Sequence, residues 1–336
     1  MTGRPDFIAG NTRLRARLGG LLGPRDYDRL AGLSYEAVVE SLSATAYRPY
    51  LGRRREVDGQ VVDAVTQRLR DLLRGVRELY GGTAREVVGV LLARHDLHDV
   101  LALLRGARTG QPGSDRLAAV MAVGALDQQG AADVGSAADG ATAVTRLAAR
   151  RLPDRATAQA LQVAWERFEL NADPDELENA VASSAIDGWT TLLARAGKAA
   201  RPALELVLAE CDRANLLAVL RDPAGEPPRL LHTGMLDSRT LSAAPRNMAP
   251  VLAVRPAWRE AIDRYTDDGD LTALEWNLDV AMSRQAVRGL RRGDPLGADV
   301  SVGYVLAAEC EARNVRLVLL AARRGRGTDV RASLVA

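Results

Sequence analysis

The sequence predicts an all-α protein, and three observations support this prediction. Hydrophobic residues make up 47% of the 336-residue chain but aromatic residues only 4%. Alanine, leucine, valine and arginine dominate, and most of these are good helix formers. No segment alternates apolar and polar residues with the Val and Ile enrichment that predicts a sheet.

Helical spacing and capping residues place several of the helices. In the first third of the chain, apolar residues recur at helical intervals over residues 7–18, 34–42, 57–80 and 83–105. Ser34 is a predicted N-cap, because its hydroxyl can accept an orphan backbone N–H of the first turn. Asp173 and Pro174 open a helix that is predicted to run to Arg195, since proline is favoured at the first helical position. The alanine- and glycine-rich residues 124–143 leave the first helices of the second third undefined.

Two linkers divide the chain into equal thirds. Residues 106–115 and 222–229 carry the glycine and proline residues that end helices. They cut the chain near residues 112 and 224. We therefore predict three tandem helical domains, namely residues 1–112, 113–224 and 225–336, that repeat one unit.

The last long helix of each third carries the same polar pattern. An acid precedes an amide or a second acid by three positions, and apolar residues follow at the first, fourth and fifth positions after it. Positions three and four apart share one helix face, so each polar pair lies among buried leucines and valines. We predict that each pair hydrogen-bonds a neighbouring helix, because an unpaired buried polar group costs about 1–3 kcal/mol. The pairs are Asp96 and Asp99, Asp212 and Asn215, and Glu311 and Asn314.

No group of residues predicts catalysis, a cofactor or a metal site. His95 and His98 lie three residues apart, but no cysteine or carboxylate cluster completes a zinc site around them. Cys211 and Cys310 occupy one repeat position beside apolar residues, and neither has a nearby histidine to generate a thiolate. Residues 19–23 are glycine-rich but match neither a P-loop nor a dinucleotide-binding fingerprint.

Charge and hydropathy exclude two further classes of partner. A net charge of +2 gives no signal for nucleic-acid binding. No stretch approaches the ~18–20 apolar residues of a membrane helix, and the amino terminus lacks the apolar region of a signal peptide. Because two cysteines favour a reducing compartment, we expect a cytoplasmic protein. The arginines at 53–55 and 323–326 are interpreted as solvated helix ends or partner contacts.

Four segments, taken in order, resemble those of one family. They are residues 11–30, residues 43–47, residues 96–104, and the carboxyl-terminal residues 309–316 with 330–334. The chain is similar to the C subunit of archaeal and bacterial V/A-type ATPases, the relative of the d subunit of eukaryotic V-ATPase. It departs from the family pattern at Asp99, where the usual residue is asparagine, and in the alanine- and glycine-rich stretch 124–143.

The resemblance implies both an architecture and a role. Family members have three similar helical domains arranged around a pseudo-three-fold axis as a funnel. The implied role is that of a non-catalytic socket, which couples the central axle of D and F subunits to the proteolipid ring for proton or sodium transport. The chain would be a peripheral protein on the cytoplasmic side of the plasma membrane, held there through the complex, and a monomer when isolated.

The charge of the thirds agrees with asymmetric docking, and one alternative role stays open. Residues 1–112 carry 18 basic and 13 acidic side chains, residues 113–224 carry 11 and 16, and residues 225–336 carry 16 and 14. The net charges are therefore +5, −5 and +2, which present unequal faces to partners. The alternative is a generic all-helical scaffold or adaptor, although the repeat arrays of such proteins have periods of ~34–47 residues.

Overall fold

The chain is helical throughout the part that the structure describes. The computed structural model describes residues 6–51, 58–118, 120–152, 154–222, 228–231, 234–326 and 334. These residues contain no strand, which confirms the all-α prediction. The arginines at 53–55, residues 223–227 of the second linker and the segment 330–333 lie outside the described residues.

The helices vary from single turns to seven turns in length. The first nine are α1 (Ile8–Arg17), α2 (Pro24–Leu30), α3 (Tyr35–Ser43), α4 (Arg48–Leu51), α5 (Asp58–Arg77), α6 (Gly82–Arg108), α7 (Gly113–Ala118), α8 (Gln128–Gly135) and α9 (Gly140–Arg150). The others are α10 (Arg155–Asn171), α11 (Pro174–Ala196), α12 (Arg201–Arg221), α13 (Ser238–Ala243), α14 (Ala249–Val254), α15 (Arg259–Asp268), α16 (Leu271–Arg292) and α17 (Asp299–Arg323). Short 3-10 turns occupy Leu18–Gly20, Lys198–Ala200 and Pro256–Trp258.

Capping residues set the helix starts that the sequence predicted. The Ser34 hydroxyl accepts the backbone N–H of Ala37 at the start of α3. Asp173 caps α11, and Pro174 is its first residue. In the stretch that the sequence left undefined, Asp127 and Asp139 supply the N-caps of α8 and α9.

The chain divides into two compact units that do not follow the thirds. Unit 1 comprises Met1–Val88 with Ser283–Ala336, and unit 2 comprises Gly89–Met282. In unit 1, the carboxyl-terminal helix α17 packs on α1, α2, α3 and α5. Gly303 lets α17 lie close to α16, because a Cβ at this position would lie 2.5 Å from the carbonyl oxygen of Ala286.

Unit 2 contains two hydrophobic clusters. The first runs from Val100 on α6 through α8, α9 and α10 to Val181 on α11. The second runs from Ala209 on α12 through α13, α14 and α15 to Leu278 on α16. Each cluster combines the last long helix of one predicted third with the helices that open the next. The boundaries at residues 112 and 224, and the funnel arrangement, stay predictions.

One helix end gives a direct test of backbone strain. Ala172 follows α10 and adopts a left-handed backbone conformation, with φ of +54°. We expect Ala172→Gly to raise the free energy of unfolding by about 0.5–1 kcal/mol. A non-glycine residue in the left-handed conformation costs about 1–2 kcal/mol, and the flexibility of glycine offsets part of the relief of that strain. Ala160→Gly, inside the same helix, should lower it instead. Urea titrations measure both, and equal effects would contradict this account.

Candidate functional site

The six polar repeat positions are all buried, and the acid of each pair contacts one loop; Asn314 instead hydrogen-bonds the side chain of Tyr27 on α2. The exposed fractions of the six positions range from 0% to 3%. They lie on α6, α12 and α17, the last long helix of each predicted third. In each case the acid accepts backbone N–H groups from a loop that leads into a short helix. We call these arrangements the first, second and third polar clamps; the acids are Asp96, Asp212 and Glu311.

The first polar clamp consists of two carboxylates and six residues of loop. Asp96 accepts the backbone N–H groups of residues 124–126 at 2.5–3.3 Å. Asp99 accepts those of residues 121 and 122 at 2.7–2.9 Å. Both side chains therefore satisfy the amides of the loop that opens α8, and not groups of a neighbouring helix.

The second polar clamp adds an arginine. One Asp212 oxygen accepts the backbone N–H groups of residues 235 and 236 at 2.9 Å. The other oxygen accepts a hydrogen bond from Nε of Arg255 at 2.7 Å, and Nη2 of the same guanidinium lies 2.5 Å from it as an ion pair. The guanidinium carbon of Arg255 lies 5.7 Å from the ring centroid of Trp258. Asn215 makes two hydrogen bonds with the backbone of Leu231. Its side chain donates to the carbonyl oxygen at 2.9 Å and accepts the N–H at 2.8 Å.

The third polar clamp joins the two ends of the chain. Glu311 accepts the backbone N–H of Leu22 at 2.6 Å and the Arg68 guanidinium at 2.9 Å. Arg68 also donates to the carbonyl oxygen of Gly20 at 2.5 Å and lies 4.7 Å from the ring centroid of Tyr47. Burial and the charge of Glu311 raise the pKa of Tyr47. The second and third clamps therefore share one arrangement of an acid, an arginine and an aromatic ring.

A shared loop motif underlies the three clamps, and the sequence analysis missed it. In each loop a glycine precedes a leucine by two positions, and the leucine N–H binds the acid. The next residue is the N-cap of α2, α8 or α13. The motifs are Gly20-Leu21-Leu22, Gly124-Ala125-Leu126 and Gly234-Met235-Leu236. The three copies of this motif are visible in the sequence, where successive copies lie about 110 residues apart.

Two of these glycines allow the loop to approach the carboxylate. A Cβ at Gly124 would lie 2.1 Å from an Asp96 oxygen, and a Cβ at Gly234 would lie 2.5 Å from an Asp212 oxygen. Distances under 3 Å force a shift, so a Cβ at either position would displace the carboxylate from its loop amides. At Gly20 a Cβ would meet nothing within 4 Å, because the longer Glu311 side chain reaches its loop from farther away.

The electrostatics of the first clamp differ from those of the other two. Burial and the charge of Asp99 raise the pKa of Asp96 to about 6, against the lowering effect of the three loop amides. Burial also raises the pKa of Asp99, while the loop amides and the charges of His98 and His95 lower it. In the described part of the chain, no arginine reaches Asp96 as Arg255 reaches Asp212.

The residues considered for catalysis or metal binding do not form such a site. Burial raises the pKa of Cys211 to about 12, so its thiol stays protonated at neutral pH. Cys211 and Cys310 are both buried free thiols. Within the described residues, no group of three or more His, Cys, Asp and Glu side chains could hold a metal ion. No helix among them is long and apolar enough to span a bilayer.

The three glycines provide a matched test of the clamps. Gly124→Ala and Gly234→Ala push the added methyl group into the carboxylate, which must then leave its loop amides. We expect each to lower the free energy of unfolding by about 2–3 kcal/mol, the contribution of hydrogen bonds to a charged group. Gly20→Ala is the control, because its methyl group enters open space. Chemical unfolding gives the values; a comparable loss at all three positions would refute the close-approach argument.

The third clamp predicts a large effect from one buried arginine. Arg68 and Glu311 side chains are 6% and 2% exposed. Arg68→Met leaves the Glu311 charge buried without its cation, so we expect the free energy of unfolding to fall by about 3–5 kcal/mol. Arg13→Met on the exposed face of α1 is the control and should change it by less than about 0.5 kcal/mol. Differential scanning calorimetry tests the pair, and similar midpoints for the two variants would disprove the assignment.

Comparison with known proteins identifies the family. The family model described as ATP synthase (C/AC39) subunit matches residues 10–331. Two curated relatives, both named as the C subunit of V-type ATP synthase, come from two strains of Thermus thermophilus. Each is 31% identical to this chain over 326 residues, which cover 95% of this chain and 94% of the relative. The chain therefore belongs to the ATP synthase (C/AC39) subunit family.

Proposed function

We propose that this chain is a non-catalytic central-stalk subunit of a V/A-type rotary ATPase, which couples the axle of D and F subunits to the proteolipid ring for proton or sodium transport. One observation supports this proposal most strongly. The match to proteins named as the C subunit of V-type ATP synthase covers 95% of this chain and 94% of the relative, so it is not confined to one shared domain. A generic scaffold or adaptor would not require such agreement along the whole length.

The buried polar residues support a structural part rather than an enzyme. The acids of the three clamps direct their oxygens to loop amides and arginines of the same chain. A general acid or base must instead reach a substrate proton within hydrogen-bond distance. The clamps therefore stabilise the loops, and ATP turnover in the assembled complex falls to other subunits.

The distribution of charge supports oriented docking. The sequence of unit 1 carries 25 basic and 16 acidic side chains, a net charge of +9. The sequence of unit 2 carries 20 basic and 27 acidic side chains, a net charge of −7. Complementary charge steers partners and fixes their orientation more than it adds affinity. A protein placed between an axle and a ring needs this discrimination, since each partner must bind one face.

Binding to the stalk proteins tests the proposal. We expect the chain to co-purify with the homologous D and F subunits at low ionic strength, and the affinity to fall as KCl increases. Salt screens surface charge over a Debye length of about 8 Å near physiological ionic strength. Sucrose at matched osmolality is the control, and it should leave the complex intact. If three proteins that are each folded form no complex at low salt, the adaptor role becomes the better interpretation.

A further inference from the structure

The three polar clamps are equivalent in position but unequal in charge. The second and third clamps each pair one acid with one arginine, Arg255 or Arg68. The first clamp instead buries two carboxylates, Asp96 and Asp99, on successive turns of α6. It also holds Ala122 in a left-handed conformation, with φ of +48°. The loop at residues 120–126 is therefore fixed by the least compensated of the three clamps.

We infer that the first clamp is a proton-sensitive latch, in which the loop at residues 120–126 is released from α6 more readily at neutral pH than at mildly acidic pH. The second clamp is the comparison, because it is built on the same plan but pairs Asp212 with Arg255. The inference rests on the geometry of the clamps and does not depend on the proposed function.

The contacts of the first clamp define what can respond to pH. Asp96 and Asp99 are 1% and 0% exposed, so their charges are separated from water. The loop presents backbone amides to them, and residues 120–126 include no titratable side chain. From α6 itself, His95 and His98 act electrostatically on Asp99. Two like charges on one helix face, held only by amide dipoles, disfavour the doubly ionised state.

The direction of the effect follows from proton linkage. With the loop in place, the pKa of Asp96 is raised to about 6 from its ordinary value of 3.8. When the loop leaves, water reaches the carboxyl group and its pKa returns toward that ordinary value. The closed state therefore binds the proton more tightly, and acidification through pH 6 stabilises it.

Hydrogen exchange of the full-length chain tests the latch without any substitution. Exchange is followed at several pH values between 5 and 7 and corrected for intrinsic rates, with amides of α17 as an internal reference for global opening. Linkage predicts that the opening constant of amides 121–126 is about tenfold larger at pH 7 than at pH 5. Amides 235 and 236, on the second clamp, should change less than twofold. Equal pH dependence in both loops, or none in either, would overturn the inference.

Two substitutions exchange the behaviour of the clamps. Asp96→Asn removes the main titrating group of the first clamp. The pH dependence of loop opening at residues 121–126 should therefore largely disappear, even if the loop is more open at every pH. Arg255→Gln removes the cation beside Asp212, and amides 235 and 236 should then become about as pH-dependent as the first loop. Because the second variant leaves the first clamp intact, it remains informative if Asp96→Asn fails to fold. A folded Arg255→Gln protein whose second loop stays insensitive to pH would refute the role of the arginine.

Discussion

Backbone amides that enter a helix from a buried loop need acceptors, and this requirement organises the chain. The loops before α2, α8 and α13 pack against α17, α6 and α12, and the acids on these helices are at most 2% exposed and accept the loop amides. An unsatisfied buried amide costs about as much as a lost hydrogen bond, and several adjacent ones would exceed the stability of a typical domain. One acid on each long helix answers this need, for three amides at Asp96, two at Asp212 and one at Glu311. In the first two loops, Gly124 and Gly234 let the backbone come close to the carboxylate.

The contact between each acid and its loop explains why the compact units differ from the sequence repeats. Asp96 and Asp212 bind loops that follow them in the chain by about 25 residues. Glu311 instead binds a loop that precedes it in the chain, at Leu22. The carboxyl-terminal helix therefore completes the packing of the amino-terminal helices, which places α17 within unit 1. A boundary drawn at the linkers cuts between each long helix and the loop that it binds.

Much of this could be predicted from the sequence, and the remainder has a physical reason. Helical periodicity and local caps such as Ser34 and Asp173 depend on neighbouring residues, so they gave the helices and several of their starts. The shared face of Asp96 and Asp99 follows from helix geometry alone. The groups that bind these two carboxylates do not follow from helix geometry, because a carboxylate can accept a hydrogen bond from a helix, a side chain or a loop. Only the tertiary fold decides among these. The Gly-x-Leu motif was overlooked because three common residue types, about 110 positions apart, carry little information without the contact that relates them.

The burial of the clamps separates the residues that hold the loops in place from those that could bind a partner. The six repeat positions are at most 3% exposed and direct their hydrogen bonds into the chain, so they cannot contact another protein while the fold is intact. Partner recognition must then use the exposed surface, where charge is distributed unevenly between the sequences of the two units. Surface residues can change as partners change, whereas an acid such as Glu311 is constrained by both an amide and an arginine. For this reason the six repeat positions are among the residues least able to specify the binding of a partner.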